Sequence, residues 1–151
     1  MIEIEVEADD WLTVLPEAET VVARAATAAL GAATGDVVVL LTDDAAVRDL
    51  NARFRDKDQP TNVLSFPAAD MPLAGQAPHL GDLVLAFGVC RDEASAQGKS
   101  LADHLSHLTV HGVLHLLGRD HEADADAEAM EAEERTILAA LGVLDPYRIV
   151  S

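Results

Sequence analysis

Residues Leu101 to Leu117 read as one long helix, capped by Ser100 and ended by Gly118, and its later part is apolar nearly all round through Val110, Val113, Leu114, Leu116 and Leu117. A helix without a polar face has to lie inside the fold, so the rest of the chain must be built around it. The same stretch carries His111 and His115, four residues apart, which places two imidazoles on one face about 6 Å from each other. Gly118 reverses the chain and can return His121 over that face, giving H-x-x-x-H-x-x-G-x-x-H. Three nitrogen ligands leave the fourth tetrahedral position for water, the geometry of an open, catalytic metal site.

One divalent ion per chain is therefore expected on His111, His115 and His121. Imidazole ligands favour zinc, with copper or nickel also compatible. Only neutral imidazoles bind, so affinity is expected to fall below about pH 6.5. The spacing is that of the extended zinc-peptidase motif, but Gly112 stands where that motif carries its general base, a Glu. Peptide hydrolysis is thus a minor alternative.

The elements around this helix read as α+β. Ile2, Ile4 and Val6 alternate with Glu3, Glu5 and Glu7 as a strand with one wet face. Pro16 and its acidic neighbours open a helix that runs to Leu30 and stops near Gly31. Asp36 to Leu41 suits a buried strand, and Thr42-Asp43-Asp44 can cap a helix through Val47, Leu50 and Phe54. A polar turn from Arg55 to Pro60 leads to a third strand over Asn62 to Phe66, and Pro67 to Leu80 has the composition of a long loop. Leu83 to Phe87 gives a fourth strand, Arg91 to Gln97 a short helix, and about Asp124 to Leu141 a final helix that buries Met130, Ile137, Leu138 and Leu141 and turns its acids to water. One domain is expected over all 151 residues.

The lone Cys90 cannot form an internal disulfide and reads as a small buried hydrophobe in a reducing compartment. The first residues carry acids where a secretory signal has positive charge, and the apolar stretch Val21 to Leu41 is broken by Arg24, Gly31, Gly35 and Asp36. A cytoplasmic, non-membrane protein is expected. A net charge of −17 opposes non-specific binding to nucleic acid, although Arg48, Arg53, Arg55 and Lys57 form a local basic cluster.

Four blocks together resemble the YbeY family. They are Arg55-Asp56-Lys57-Asp58-Gln59-Pro60-Thr61-Asn62-Val63-Leu64-Ser65-Phe66-Pro67, Leu80-Gly81-Asp82-Leu83-Val84-Leu85, the histidine segment from His111 to His121, and Leu144-Asp145-Pro146-Tyr147. The resemblance implies a single α+β domain with a small mixed sheet of about four strands against about five helices, the metal-binding helix central. It implies a single-strand-specific endoribonuclease of ribosomal RNA processing, 16S rRNA maturation and ribosome quality control, in the cytoplasm. Its implied partners are ribosomal RNA and the small ribosomal subunit, with a ribosomal protein and a ribosome-associated GTPase. The three histidines fall on the family's metal ligands, and Arg55 on an arginine needed for activity. Arg119 departs from the family's usual aromatic residue and could touch the pocket rim or a phosphate. Rival readings are a hydrolase of peptides or small amides and a non-catalytic, metal-stabilised ribosome-binding module.

Among the other polar residues, Arg55 offers a planar fork to a phosphodiester, against the alternative of a solvated side chain beside Asp56 and Asp58. Ser65 can bond a phosphate or cap the strand end. His104 and His107 share the stripe of His111 and His115 and could line the cleft floor, but three ligands already complete the site. Asp120 can receive an imidazole N–H or cap the next helix, and His79 has no assigned role.

Overall fold

A computed structural model describes residues 1–68, 79–118 and 124–143, with side chains throughout except at 124–126. Its elements are β1 (Ile2–Val6), α1 (Asp10–Val14), α2 (Ala18–Leu30), β2 (Asp36–Thr42), α3 (Asp44–Arg55), β3 (Val63–Pro67), β4 (His79–Ala86), α4 (Phe87–Ala96), α5 (Leu101–Leu116) and α6 (Asp124–Ala140). The strands form one mixed sheet in the order β1-β2-β4-β3, parallel except where β3 runs against β4. The α+β class is as expected, and the described residues form the expected four strands, with six helices in place of about five.

Strands β2, β3 and β4 send alternate residues to two different layers, whereas β1 turns Glu3 and Glu5 to solvent. Ile2, Ile4, Val6, Val37, Val39, Leu41, Leu83 and Leu85 join α2, α5 and α6 in the larger core. Leu64, Val84 and Ala86 meet Val47 of α3 in a smaller one, flanked by Leu40, Leu50 and Phe66. The period of two thus divides the sheet between helices on either face. α5 packs against α2, α4, α6, β3 and β4, with Leu105, Val110, Val113 and Leu114 fully buried, so it is central as its composition requires. Truncating one such leucine to alanine costs about 2–5 kcal/mol.

Two local readings change, and one element is added. The fourth strand is longer and earlier than Leu83 to Phe87, since it begins at His79, and Phe87 already opens α4. The reason is a cap from another helix: Asp44 Oδ1 of α3 accepts from Val89 N–H (3.1 Å), satisfying the first turn of α4. The loop expected over Pro67 to Leu80 loses both ends to strands, Pro67 sitting where proline is tolerated, on the edge strand β3. Finally, Asp10–Val14 forms a short helix whose Trp11 is fully buried, donates through Nε1 to Thr42 O (2.9 Å) and meets Phe87 edge-on. That indole ties the end of β2 to the start of α4. Leu144-Asp145-Pro146-Tyr147 and most of the loop lie outside the described residues.

Candidate metal centre and cleft

The capping residues Ser100, whose Oγ accepts from Asp103 N–H, and Gly118, at φ +93°, delimit α5 as the sequence implies. Along it His104, His107, His111 and His115 follow one another at helical spacing. His111 and His115 turn their Nε2 atoms together, 3.0 Å apart, at a cleft of ≈ 670 Å³. Two imidazoles ligating one tetrahedral zinc at about 2.0–2.1 Å have nitrogens roughly 3.3 Å apart, so this pair fits an ion with little movement.

The other nitrogen of His111 has a different neighbour. Glu134 of α6 accepts from His111 Nδ1 through Oε1 (2.5 Å) and from His107 Nε2 through Oε2 (3.2 Å). Its side chain is fully buried, against 26% exposure for His111 and 14% for His107. The acids of α6 were expected to face water, and Glu134 does not. It stands midway between the buried Met130 and Leu138, four residues from each, and so on the apolar stripe. An acid in that register was the signal available in the sequence.

His107, His111 and Glu134 have donor atoms close enough to hold a metal among themselves. The same contacts also read as hydrogen bonds from two imidazoles to one carboxylate. The Nε2 side, facing the cleft, is the one with room for an open coordination position.

Arg55 of α3, Thr61 and Asn62 of the turn after it, and Val63, Ser65 and Pro67 of β3 line the opposite wall. Asp56, left-handed at φ 57°, ends α3, and Asn51 Nδ2 donates to Gln59 O (2.8 Å), fixing the turn into β3. Arg55 then donates to Ser65 O (2.7 Å) and lies 5.1 Å over the Phe66 ring. Asp58 does not hold it, being paired with Arg48 (2.8 Å). Asp49 likewise pairs with Arg53 (3.4 Å), so the basic cluster is half neutralised by its own acids.

His104 was read as possible cleft lining, and it is not. At 3% exposure it contacts Glu93 of α4, whose Oε1 accepts from His104 Nε2 (2.9 Å) and from Asn62 Nδ2 (3.0 Å). It acts on the cleft only by anchoring Asn62. His107 does line the cleft, and His79 bonds Asp82 (3.0 Å). Ser65 lines the cleft too, though Arg55 engages its carbonyl and not its hydroxyl. His121, Arg119 and Asp120 lie outside the described residues.

Gly112 explains the departure from the peptidase motif. A Cβ there would stand 2.7 Å from Leu83 Cδ2, so this position faces β4 and not the cleft.

The solution structure of TM1509 from Thermotoga maritima has a similar fold, with a TM-score of 0.56 and 21% identity over 99% of this chain and all of that one. A protein named Endoribonuclease YbeY from Azorhizobium caulinodans is 51% identical over 98% of this chain and 96% of its own. One of the same name from Paramagnetospirillum magneticum is 50% identical over 97% and 94%. Residues 3–142 match the family described as Endoribonuclease YbeY, and the chain belongs to that family.

Proposed function

We propose that the chain is a metal-dependent endoribonuclease that cuts single-stranded RNA in ribosomal RNA processing, including 16S rRNA maturation and ribosome quality control, in the cytoplasm. The observation that carries the reading is the convergence of His111 and His115 Nε2, 3.0 Å apart, on a cleft whose far wall presents Arg55. The names of the relatives supply the substrate class, and the four sequence blocks the ribosomal context. No described helix is long and apolar enough to cross a membrane.

His111 and His115 would hold the ion, with His121 as the third ligand. Zinc suits an all-imidazole set. When bound, the ion supplies Lewis acidity toward a phosphoryl oxygen and toward water. Arg55 spends one nitrogen on the Ser65 carbonyl, which leaves the rest of its guanidinium for a phosphodiester in the cleft. Its contact with Phe66 limits the orientations it can take, so the charge is in place before negative charge develops on phosphorus. Ser65 and Arg119 are assigned to the substrate side. The peptidase alternative lacks a base, and Gly112 faces the wrong way to provide one.

The test couples elemental analysis to an RNA cleavage assay. Wild type should carry one metal per chain and cleave single-stranded RNA but not casein. His115→Ala should lose the metal and the cleavage together. Arg55→Ala should keep the metal and fold while losing about 10²–10³ in rate, the usual cost of removing one charge-stabilising donor. Metal-free wild type, or undiminished cleavage by Arg55→Ala, would remove this mechanism.

A further inference from the structure

An acid on an apolar stripe is costly unless its charge is met. Glu134 is fully buried between Met130 and Leu138, and both of its oxygens are engaged by histidines of α5, Oε1 by His111 Nδ1 and Oε2 by His107 Nε2. Its first contact continues into the cleft, because the imidazole it holds presents the opposite nitrogen to His115.

We propose that Glu134 is a positioning residue for the metal centre, fixing the tautomer and ring orientation of His111 so that Nε2 faces the cleft unprotonated, with His107 as the second anchor of the carboxylate. This rests on the metal-site reading above and goes beyond it by assigning a role to a residue outside the histidine motif.

A neutral imidazole carries one proton. With Nδ1–H donated to Glu134, the lone pair is left on Nε2, 3.0 Å from the corresponding atom of His115. The carboxylate also raises the basicity of the ring that donates to it, which strengthens the bond at the far nitrogen. His107 engages Oε2, so both oxygens of the carboxylate are tied to α5. The contact between α5 and α6 thereby becomes part of the centre, so an element with no ligand of its own sets ligand geometry.

The experiment compares wild type, Glu134→Gln and His115→Ala, each first stripped of metal. Zinc affinity is measured by competition with a chromophoric chelator, and ligand geometry by the visible spectrum of the cobalt(II) form. Glu134→Gln should bind zinc on the order of 10–100-fold more weakly. Its cobalt spectrum should keep the wild-type coordination number, while His115→Ala binds neither ion tightly. Wild-type zinc affinity in Glu134→Gln overturns the positioning role, and a changed coordination number shows Glu134 to be a ligand, which overturns it equally. Failure of wild type to bind zinc or cobalt removes the metal-site reading itself, and this one with it. Should Glu134→Gln not fold, long-range ¹⁵N–¹H spectra of the zinc-loaded wild-type chain decide the point. His111 protonated at Nδ1 supports the role, and His111 protonated at Nε2 overturns it.

Discussion

Gly112 of α5 presses against Leu83 of β4 so closely that an added Cβ would lie 2.7 Å from Leu83 Cδ2. Leu83 is fully buried in the main core, so its side chain has little room to retreat. Alanine at 112 gains about 0.8–1.0 kcal/mol in helix propensity but costs about 1–3 kcal/mol in overpacking. Gly112→Ala should therefore be destabilised by about 1 kcal/mol, seen as a fall in Tm of roughly 2–4 °C. Gly112→Glu, which restores the letter of the peptidase motif, should be far less stable and should cleave no casein, since the carboxylate would enter the core. A Gly112→Ala protein more stable than wild type would show that the helix and the sheet can separate.

His104 gives a pH dependence that can be worked out in sign. Burial pushes its imidazole below the ordinary value and is the largest influence, partly opposed by the hydrogen bond and charge of Glu93, with Lys99 and His107 adding to the lowering. The unfolded chain therefore takes up a proton near pH 6.5 that the folded chain still refuses, and stability falls as pH drops through and below that value. Above it the contribution is constant. Chelator-treated wild type should lose stability as pH falls below about 6.5, and His104→Gln should have a shallower acid limb, measured by urea unfolding at each pH. Equal slopes in the two proteins would rule out His104 as a source of the limb.

Cys90 is fully buried in α4, and burial pushes its thiol well above the ordinary range, with the charges of Glu93 and Asp44 adding to the rise. The thiolate is the reactive form, so the native protein should resist an aromatic disulfide reagent at pH 8 and react with one equivalent only in denaturant. Fast labelling of the folded chain would mean that α4 opens locally. Cys90→Ala should cleave RNA normally, because the thiol lies in the main core and reaches the cleft wall only through its hydrogen bond to the Asn62 carbonyl.

How much of this was legible depended on whether a residue's signal was local. The i, i+4 pair His111 and His115 could be read directly, because helical geometry alone brings the rings together. Asp43 and Ser100 were equally readable as caps, each accepting from the backbone three residues on. Glu134 was not, since six other acids in Glu122–Glu134 made a solvated face the economical reading, and only its register with Met130 and Leu138 marked it. The cap that Asp44 places on α4 spans 45 residues, and no periodicity within the strand could reveal that Phe87 belongs to the helix. Strand order was hidden for the same reason, because β4 inserts between β2 and β3, an arrangement decided by packing across the whole sheet. The basic cluster from Arg48 to Lys57 was visible as composition, whereas its internal pairing was not.

That pairing bears on how so acidic a chain would meet RNA. With a net charge of −17, long-range repulsion opposes association with a phosphate backbone. Arg48 is committed to Asp58 and Arg53 to Asp49, which leaves Arg55 and Lys57 of that cluster outside carboxylate pairs among the described residues. Such charges act within about a Debye length, ~8 Å at physiological salt. Together with Arg119, assigned above to the substrate side, three phosphate contacts predict a slope of log affinity against log salt of only about −2.1 for single-stranded RNA, too shallow for a nuclease that finds its substrate by charge. Under the proposed function, recruitment would come from docking on the small ribosomal subunit, through the ribosomal protein or ribosome-associated GTPase that the family resemblance implies, which would raise the effective concentration of the cleft on nearby RNA without strong intrinsic affinity. Binding of wild type to naked ribosomal RNA and to small subunits at one salt concentration tests this. Subunits should bind at least tenfold more tightly, Arg55→Ala should weaken binding to naked RNA more than binding to subunits, and equal affinity for the two would remove any need for a protein partner.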